Sequence, residues 1–134
     1  MGTVRANLTI SSTDVIATPV NVSAGKNFSA NAGLVMRAKV KGIAAGSNDL
    51  TIYKANDKNV AAYLFVRNLN QDLENYIYIH NSTDSNAAVA KIGGGEFCYI
   101  PVPFDKTFKA YGTLADQLIE FMVFGEDDSA TTLG

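Results

Sequence analysis

Apolar and polar side chains alternate with a period of two along most of the chain, and turn-forming residues break the pattern at intervals of roughly 8–15 residues. Segment 4–10 sets Val4, Ala6, Leu8 and Ile10 against Arg5, Asn7 and Thr9. Segment 15–23 places Ile16, Thr18, Val20 and Val22 on one face. Pro19 within it lacks an amide donor, which marks an edge position or a bulge. Residues 24–33, rich in Gly, Asn and small side chains, read as a loop. Segment 34–41 turns Leu34, Met36, Ala38 and Val40 inward and Val35, Arg37, Lys39 and Lys41 outward. Segment 61–66 is apolar without alternation, the pattern of a strand covered on both faces. Segments 50–54, 76–80, 87–92, 96–102, 107–111 and 118–124 complete a series of about ten strands.

The breakers fall between these segments. Turns are expected at 42–49, 55–59, 81–86 and Gly93-Gly94-Gly95, and the last two imply consecutive antiparallel hairpins. Only 114–118 leaves room for a helical turn. At 134 residues the chain is too short for two independent cores. The expected fold is all-β: an antiparallel two-sheet β-sandwich or jelly roll of about ten strands in a single domain. Residues 1–32 would supply N-terminal strands or an arm, 33–125 the sandwich core, and 126–134 a flexible acidic tail.

Charge narrows the function classes. Charged residues make up 18% of the chain, against about 25% in average soluble proteins. A surface of Asn, Thr, Ala and Tyr repels itself weakly and suits burial against partners. The net charge of −2 is the sum of +5 over residues 1–70 and −7 over residues 71–134. The acidic half opposes a phosphate backbone, so nucleic acid is not an expected partner. No apolar run approaches the ~20 residues of a membrane helix, and the first residues start no signal-peptide pattern, so synthesis in a reducing cytoplasm is expected. The single cysteine, Cys98, can form neither an internal disulfide nor a thiolate metal site.

Candidate chemistry is sparse. His80 is the sole histidine and reads as an outward-facing strand residue, since a triad's geometry is not implied by Ser82 and Asp84 nearby. Cys98, between Phe97 and Tyr99, reads as a small buried hydrophobe. Gly93-Gly94-Gly95 precedes a strand rather than a helix and lacks a following Lys-Ser/Thr, so it reads as a turn, not a phosphate cradle. Glu126-Asp127-Asp128 is contiguous, unlike the alternating ligands of a calcium loop. No catalytic residue, metal or cofactor is expected, and neither Glu96 nor Glu120 has an acidic partner at strand spacing for a carboxylate-pair mechanism. Two groups carry more content. Arg37, Lys39 and Lys41 form a ridge that either docks on an acidic protein surface or blocks strand-to-strand aggregation. Tyr76 and Tyr78, with His80, form an aromatic face suited to a partner interface, to sugar stacking, or to packing under a neighbouring loop.

Four strings carry a resemblance: GLVMRAKVKG at 33–42, AAYLFVRN at 61–68, AVAKIGGGEFCYIP at 88–101 and IEFMVFG at 119–125. A strand ending in Arg-Asn, then Gly-Glu-Phe…Pro opening another strand, then a last strand with Glu-Phe near its start, resembles small structural proteins of tailed bacteriophages, notably those of marine cyanobacteria. The resemblance spans about two-thirds of the chain and leaves 1–32 outside. It implies a non-enzymatic virion component, foremost a capsid decoration (cement) protein bound to the major capsid protein or other virion proteins as a dimer or trimer. A tail- or fibre-associated module binding a receptor or carbohydrate is the alternative it leaves open.

Overall fold

The computed structural model describes residues 2–30, 32–41, 50–54, 62–81, 88–102 and 106–125. The turns expected at 42–49 and 55–59, nearly all of the 81–86 turn, and the acidic tail lie outside the described residues. Ten strands are present among the described residues: β1 (Gly2–Ser12), β2 (Val20–Ala30), β3 (Ala32–Val40), β4 (Leu50–Tyr53), β5 (Ala62–Asn68), β6 (Ile77–His80), β7 (Ala88–Ile92), β8 (Phe97–Val102), β9 (Phe108–Gly112) and β10 (Gln117–Gly125). The chain divides into two units, Met1–Ala30 and Asn31–Gly134.

The first unit is an antiparallel ribbon of β1 and β2, paired without a break from Gly2↔Ala30 to Ser12↔Val20. Directly opposed residues share a face. Val4, Ala6, Leu8 and Ile10 therefore lie with Val20, Val22, Ala24 and Lys26 on one side, which is apolar apart from that lysine and Ser12. Arg5, Asn7, Thr9 and Ser11 lie on the other with Asn27, Gly25, Ser23 and Asn21, and Arg5 Nη1 donates to Asn27 Oδ1 at 2.9 Å. Ser12 Oγ accepts from the Val15 amide at 3.2 Å and ends β1. The connection spans 13–19, so of segment 15–23 only Val20–Ser23 is strand. Pro19 stands just ahead of β2, where its missing donor removes no ladder bond. The loop expected at 24–33 is also overturned: residues 24–30 continue β2, because an extended partner strand satisfies their amides whatever their side chains.

The second unit contains two four-stranded antiparallel sheets, ordered β3-β10-β5-β8 and β4-β9-β6-β7. The pairs β3–β10, β4–β9, β5–β8 and β6–β7 describe one long nested hairpin, β3 to β6 running out and β7 to β10 running back. Additional pairing of β10 with β5 and of β6 with β9 winds that hairpin into a roll. This is the jelly-roll arrangement of a β-sandwich. One cluster of buried side chains joins the two sheets, with Val40, Leu64, Val66, Val102, Ile119, Phe121 and Val123 from the first and Ile52, Tyr53, Ile77, Ile79, Ile92, Phe108 and Ala110 from the second. Burial of this kind stabilises by roughly 25 cal/mol per Å² of apolar surface.

Three further expectations change. Strands β6 and β7 do pair as neighbours, but Gly93-Gly94-Gly95 carries the chain from one sheet to the other. No helix forms at 114–118. A tight turn at 113–116, with Asp116 at φ 61°, delivers β10 directly. His80 falls on the outer side with Tyr78 by alternation, yet it is wholly buried, with its ring edge-on to Tyr111 at 5.3 Å.

Candidate functional site

Strand β5 shows why the apolar run at 61–66 mattered. Ala62, Leu64, Val66 and Asn68 are buried inward, while Tyr63 and Phe65 are half-buried on the opposite side and Arg67 is exposed there. The expectation of cover on both faces fails. Among the described residues of the second unit, the two sheets bury only the inner face. The outer face of β3-β10-β5-β8 is nevertheless apolar. Its register places Val35, Met122, Phe65 and Tyr99 in one row across all four strands. The next row holds Gly33, Phe124, Tyr63 and Pro101, and on the other side lie Arg37, Glu120, Arg67 and Phe97. Leu118, opposite Lys39, extends the face.

This surface is organised by its rings. Tyr63 and Tyr99 stack at 6.1 Å with planes 6° apart, and Phe65 lies 6.0 Å from Phe97. Burial, together with the adjacent Tyr63, raises the Tyr99 hydroxyl above its ordinary pKa. The Phe124 ring lies close over Gly33, so that a Cβ there would meet it at 3.1 Å and the ring would have to shift by a few tenths of an ångström. Even so, Val35 is 61% exposed and Phe97 55% exposed. Lone exposed apolar residues are ordinary, but a contiguous row crossing a sheet marks an interaction surface.

The predicted ridge sits at one margin of this face. Arg37 and Lys39 point outward from β3, an edge strand of its sheet, and Lys41 follows immediately after; all three are exposed. Arg37 Nε donates to Glu120 Oε2 at 3.0 Å across the β3–β10 pair, the one ion pair among the described residues. Glu120 also stands opposite Arg67 in register, so one carboxylate lies between two arginines. The ridge is thus an Arg already engaged plus Lys39 and Lys41.

Tyr78 is on β6 of the other sheet and Tyr76 stands just ahead of that strand. Tyr78 stacks on Tyr111 at 5.0 Å with planes 15° apart, Tyr76 is tilted against Tyr78 at 6.4 Å, and Lys91 Nζ sits 4.0 Å from the Tyr76 ring centre. These contacts spend ring faces within the chain and leave Tyr76 and Tyr78 half-buried. The structure therefore separates the five candidate residues into two groups on different sheets.

Asn68 was missed as a candidate. It is fully buried. Its Nδ2 donates to the carbonyls of Asn75 at 2.7 Å and Ile92 at 3.0 Å, and its Oδ1 accepts from the Asn70 amide at 3.0 Å. Its backbone amide donates to the Glu96 carbonyl and its carbonyl accepts from Gly95, both at 3.0 Å. Glu96 Oε1 in turn accepts from the Gly93 amide at 2.6 Å. The Arg-Asn and Gly-Glu-Phe strings are therefore a single clamp in space. Gly95, at φ 81°, makes the turn, and a Cβ on Gly94 would strike the Asp72 carbonyl. Cys98 is on the inner side of β8, where desolvation pushes its thiol up to about 11 against a lowering hydrogen bond with the Val66 backbone. The thiolate is therefore scarce at neutral pH.

In comparison with known proteins, the chain matches no protein-family model and no curated protein.

Proposed function

We propose that the chain is a non-enzymatic structural component of a bacteriophage virion, foremost a decoration protein that binds the assembled shell and stabilises it. The observation that carries this reading is the β1–β2 ribbon. A two-stranded ribbon alone is at best marginally stable in water. This one leaves Ile10 53% and Val22 54% exposed on its apolar face. Such an element gains stability when a partner covers that face, and a shell offering many identical sites supplies cover repeatedly. Lys39 and Lys41 at a sheet edge add complementarity to an acidic shell surface. The jelly roll itself is an architecture of viral capsid and of lectin domains alike, so it supports the class by analogy only.

A decoration protein stabilises a shell by binding the assembled form more tightly than its dissociated subunits. Purified protein added to shells lacking it is expected to co-sediment with them and to raise their disassembly temperature. Absence of co-sedimentation at micromolar concentration, around the about −8 kcal/mol that such a dissociation constant represents, overturns the reading. The tail-associated, carbohydrate-binding alternative has less support, since Tyr78 is stacked on Tyr111 and Lys91 lies over Tyr76.

A further inference from the structure

We propose that the edge of β1 facing away from β2 pairs antiparallel with the same edge of a second copy of this chain. The two-fold axis stands perpendicular to the ribbon, and two ribbons become one four-stranded sheet in the order β2-β1-β1-β2. The pairing concerns the backbone edge of the ribbon and does not depend on a shell.

Of the two edges of the ribbon, that of β1 is the unguarded one. Among the described residues β1 pairs with β2 alone, over 11 residues without a bulge, so its other side presents a regular row of amides and carbonyls. Such an edge is a template for a further strand unless a charge, a proline or a bulge blocks it. Strand β1 carries one charge, Arg5, and its Nη1 is turned across the ribbon to Asn27 Oδ1 at 2.9 Å. Asn7 leans the same way, since its Oδ1 fills the space that a Cβ on Gly25 would need. The edge of β2 is defended. Pro19 stands just ahead of it, and Lys26 is exposed opposite Ala6, whose methyl offers the ammonium no partner.

The side chains of β1 select a second β1 as the occupant. Opposed residues of an antiparallel pair share a face, so apolar rows must meet apolar rows. The register centred on Asn7 does this over the whole strand, from Gly2 against Ser12 onward. It sets Val4 on Ile10 and Ala6 on Leu8 on one face, and Thr3 on Ser11 and Arg5 on Thr9 on the other. The two copies of Arg5 then stand about 14 Å apart, beyond the ~8 Å reach of charge at physiological salt. The matching pairing of two β2 edges, centred on Gly25, would bring two Lys26 side chains to about 8 Å on one face. Pairing at β1 also supplies what a lone ribbon lacks, because sheets of three or more strands with an apolar face are stable where two strands are marginal. The contact is about 37 Å long and covers roughly 400 Å² on each copy, which belongs to the weak, exchanging class of interface. A dissociation constant of about 10 μM is expected.

Sedimentation of the full chain from about 1 to 100 μM tests the pairing. Wild type is expected near its 14.3 kDa chain mass at the low end and to approach twice that mass at the high end. Thr9 is exposed and, in this register, faces Arg5 of the second copy at two equivalent places. Thr9→Glu is expected to tighten association about fivefold and Thr9→Lys to weaken it about fivefold. Ser23→Lys puts the same charge on the same face of β2, one strand further from the axis, and is expected to leave association unchanged. A tighter dimer cannot come from a disturbed ribbon, so Thr9→Glu decides the question if Thr9→Lys upsets the hairpin. A wild-type chain still monomeric at 100 μM, a mass of three or more copies, a Thr9→Glu variant that associates no more tightly than wild type, or a loss with Ser23→Lys as large as with Thr9→Lys overturns the proposal.

Discussion

Asn68 shows how a single buried amide holds three parts of this molecule together: the end of β5, the 68–76 loop and the turn that leaves β7. Replacing it by alanine leaves the buried Ile92 carbonyl and the half-buried Asn75 carbonyl and Asn70 amide without this partner. Each unsatisfied buried group costs about 1–3 kcal/mol, so the loss is expected to total about 3–5 kcal/mol. Asn68→Asp keeps the acceptor for the Asn70 amide but sets a carboxylate against two carbonyl oxygens, and it should be at least as damaging. Urea denaturation of both variants checks this; a loss under about 1 kcal/mol would show the clamp to be dispensable. The role was not legible in the sequence, because Asn-rich chains put most of their Asn in turns and nothing local distinguishes this one. Its neighbours Gly93, Gly94, Gly95 and Glu96 were readable as a turn, but not as the partner of Arg67-Asn68. His80 failed the opposite way. Alternation placed it on the correct side of β6, while its burial depends on Tyr111, which is distant in sequence.

At the level of elements, the eight strands of the second unit were visible because their inner faces keep period two against a core. Strand β5 carries a second signal besides its inner face. An apolar run at Tyr63 and Phe65 signals two faces that avoid water, and the core of the second unit covers one. The ribbon was only half legible. Strand β1 alternates cleanly, but Ala24, Gly25 and Asn27 carry loop-like side chains on a backbone that pairs regularly with β1. Regular pairing with Leu8, Ile10 and Val22 exposed makes for weak protection. Hydrogen exchange on the free protein should therefore show β1 and β2 amides exchanging at least ~100-fold faster than those of the central strands β5 and β10. In the shell-bound state the gap should narrow. Equal protection in the free chain would mean that the ribbon needs no partner, which would remove the main support for the proposed function.

Across the whole molecule, scarce charge is sorted rather than scattered. Three of the eight cations of residues 1–70, Arg37, Lys39 and Lys41, gather at the β3 edge, and Arg37 is tied down by Glu120, which leaves Lys39 and Lys41 as the charges of that ridge available for docking. Two functions compete for them. A lysine-bearing edge strand resists pairing with another edge, whereas a docking pair attracts an acidic surface. Reversing both charges, Lys39→Glu with Lys41→Glu, separates the two, because acidic residues block an edge as well as basic ones do. The folded chain should keep its melting temperature, since exposed charges contribute little to stability. If the lysines dock, the double variant should occupy shells less fully at physiological salt. Wild-type occupancy should itself fall as added salt shortens the reach of the attraction from about 8 Å toward 3 Å. Full occupancy by the double variant, with no salt dependence in wild type, would assign Lys39 and Lys41 to edge protection and leave shell attachment to the apolar face of the ribbon.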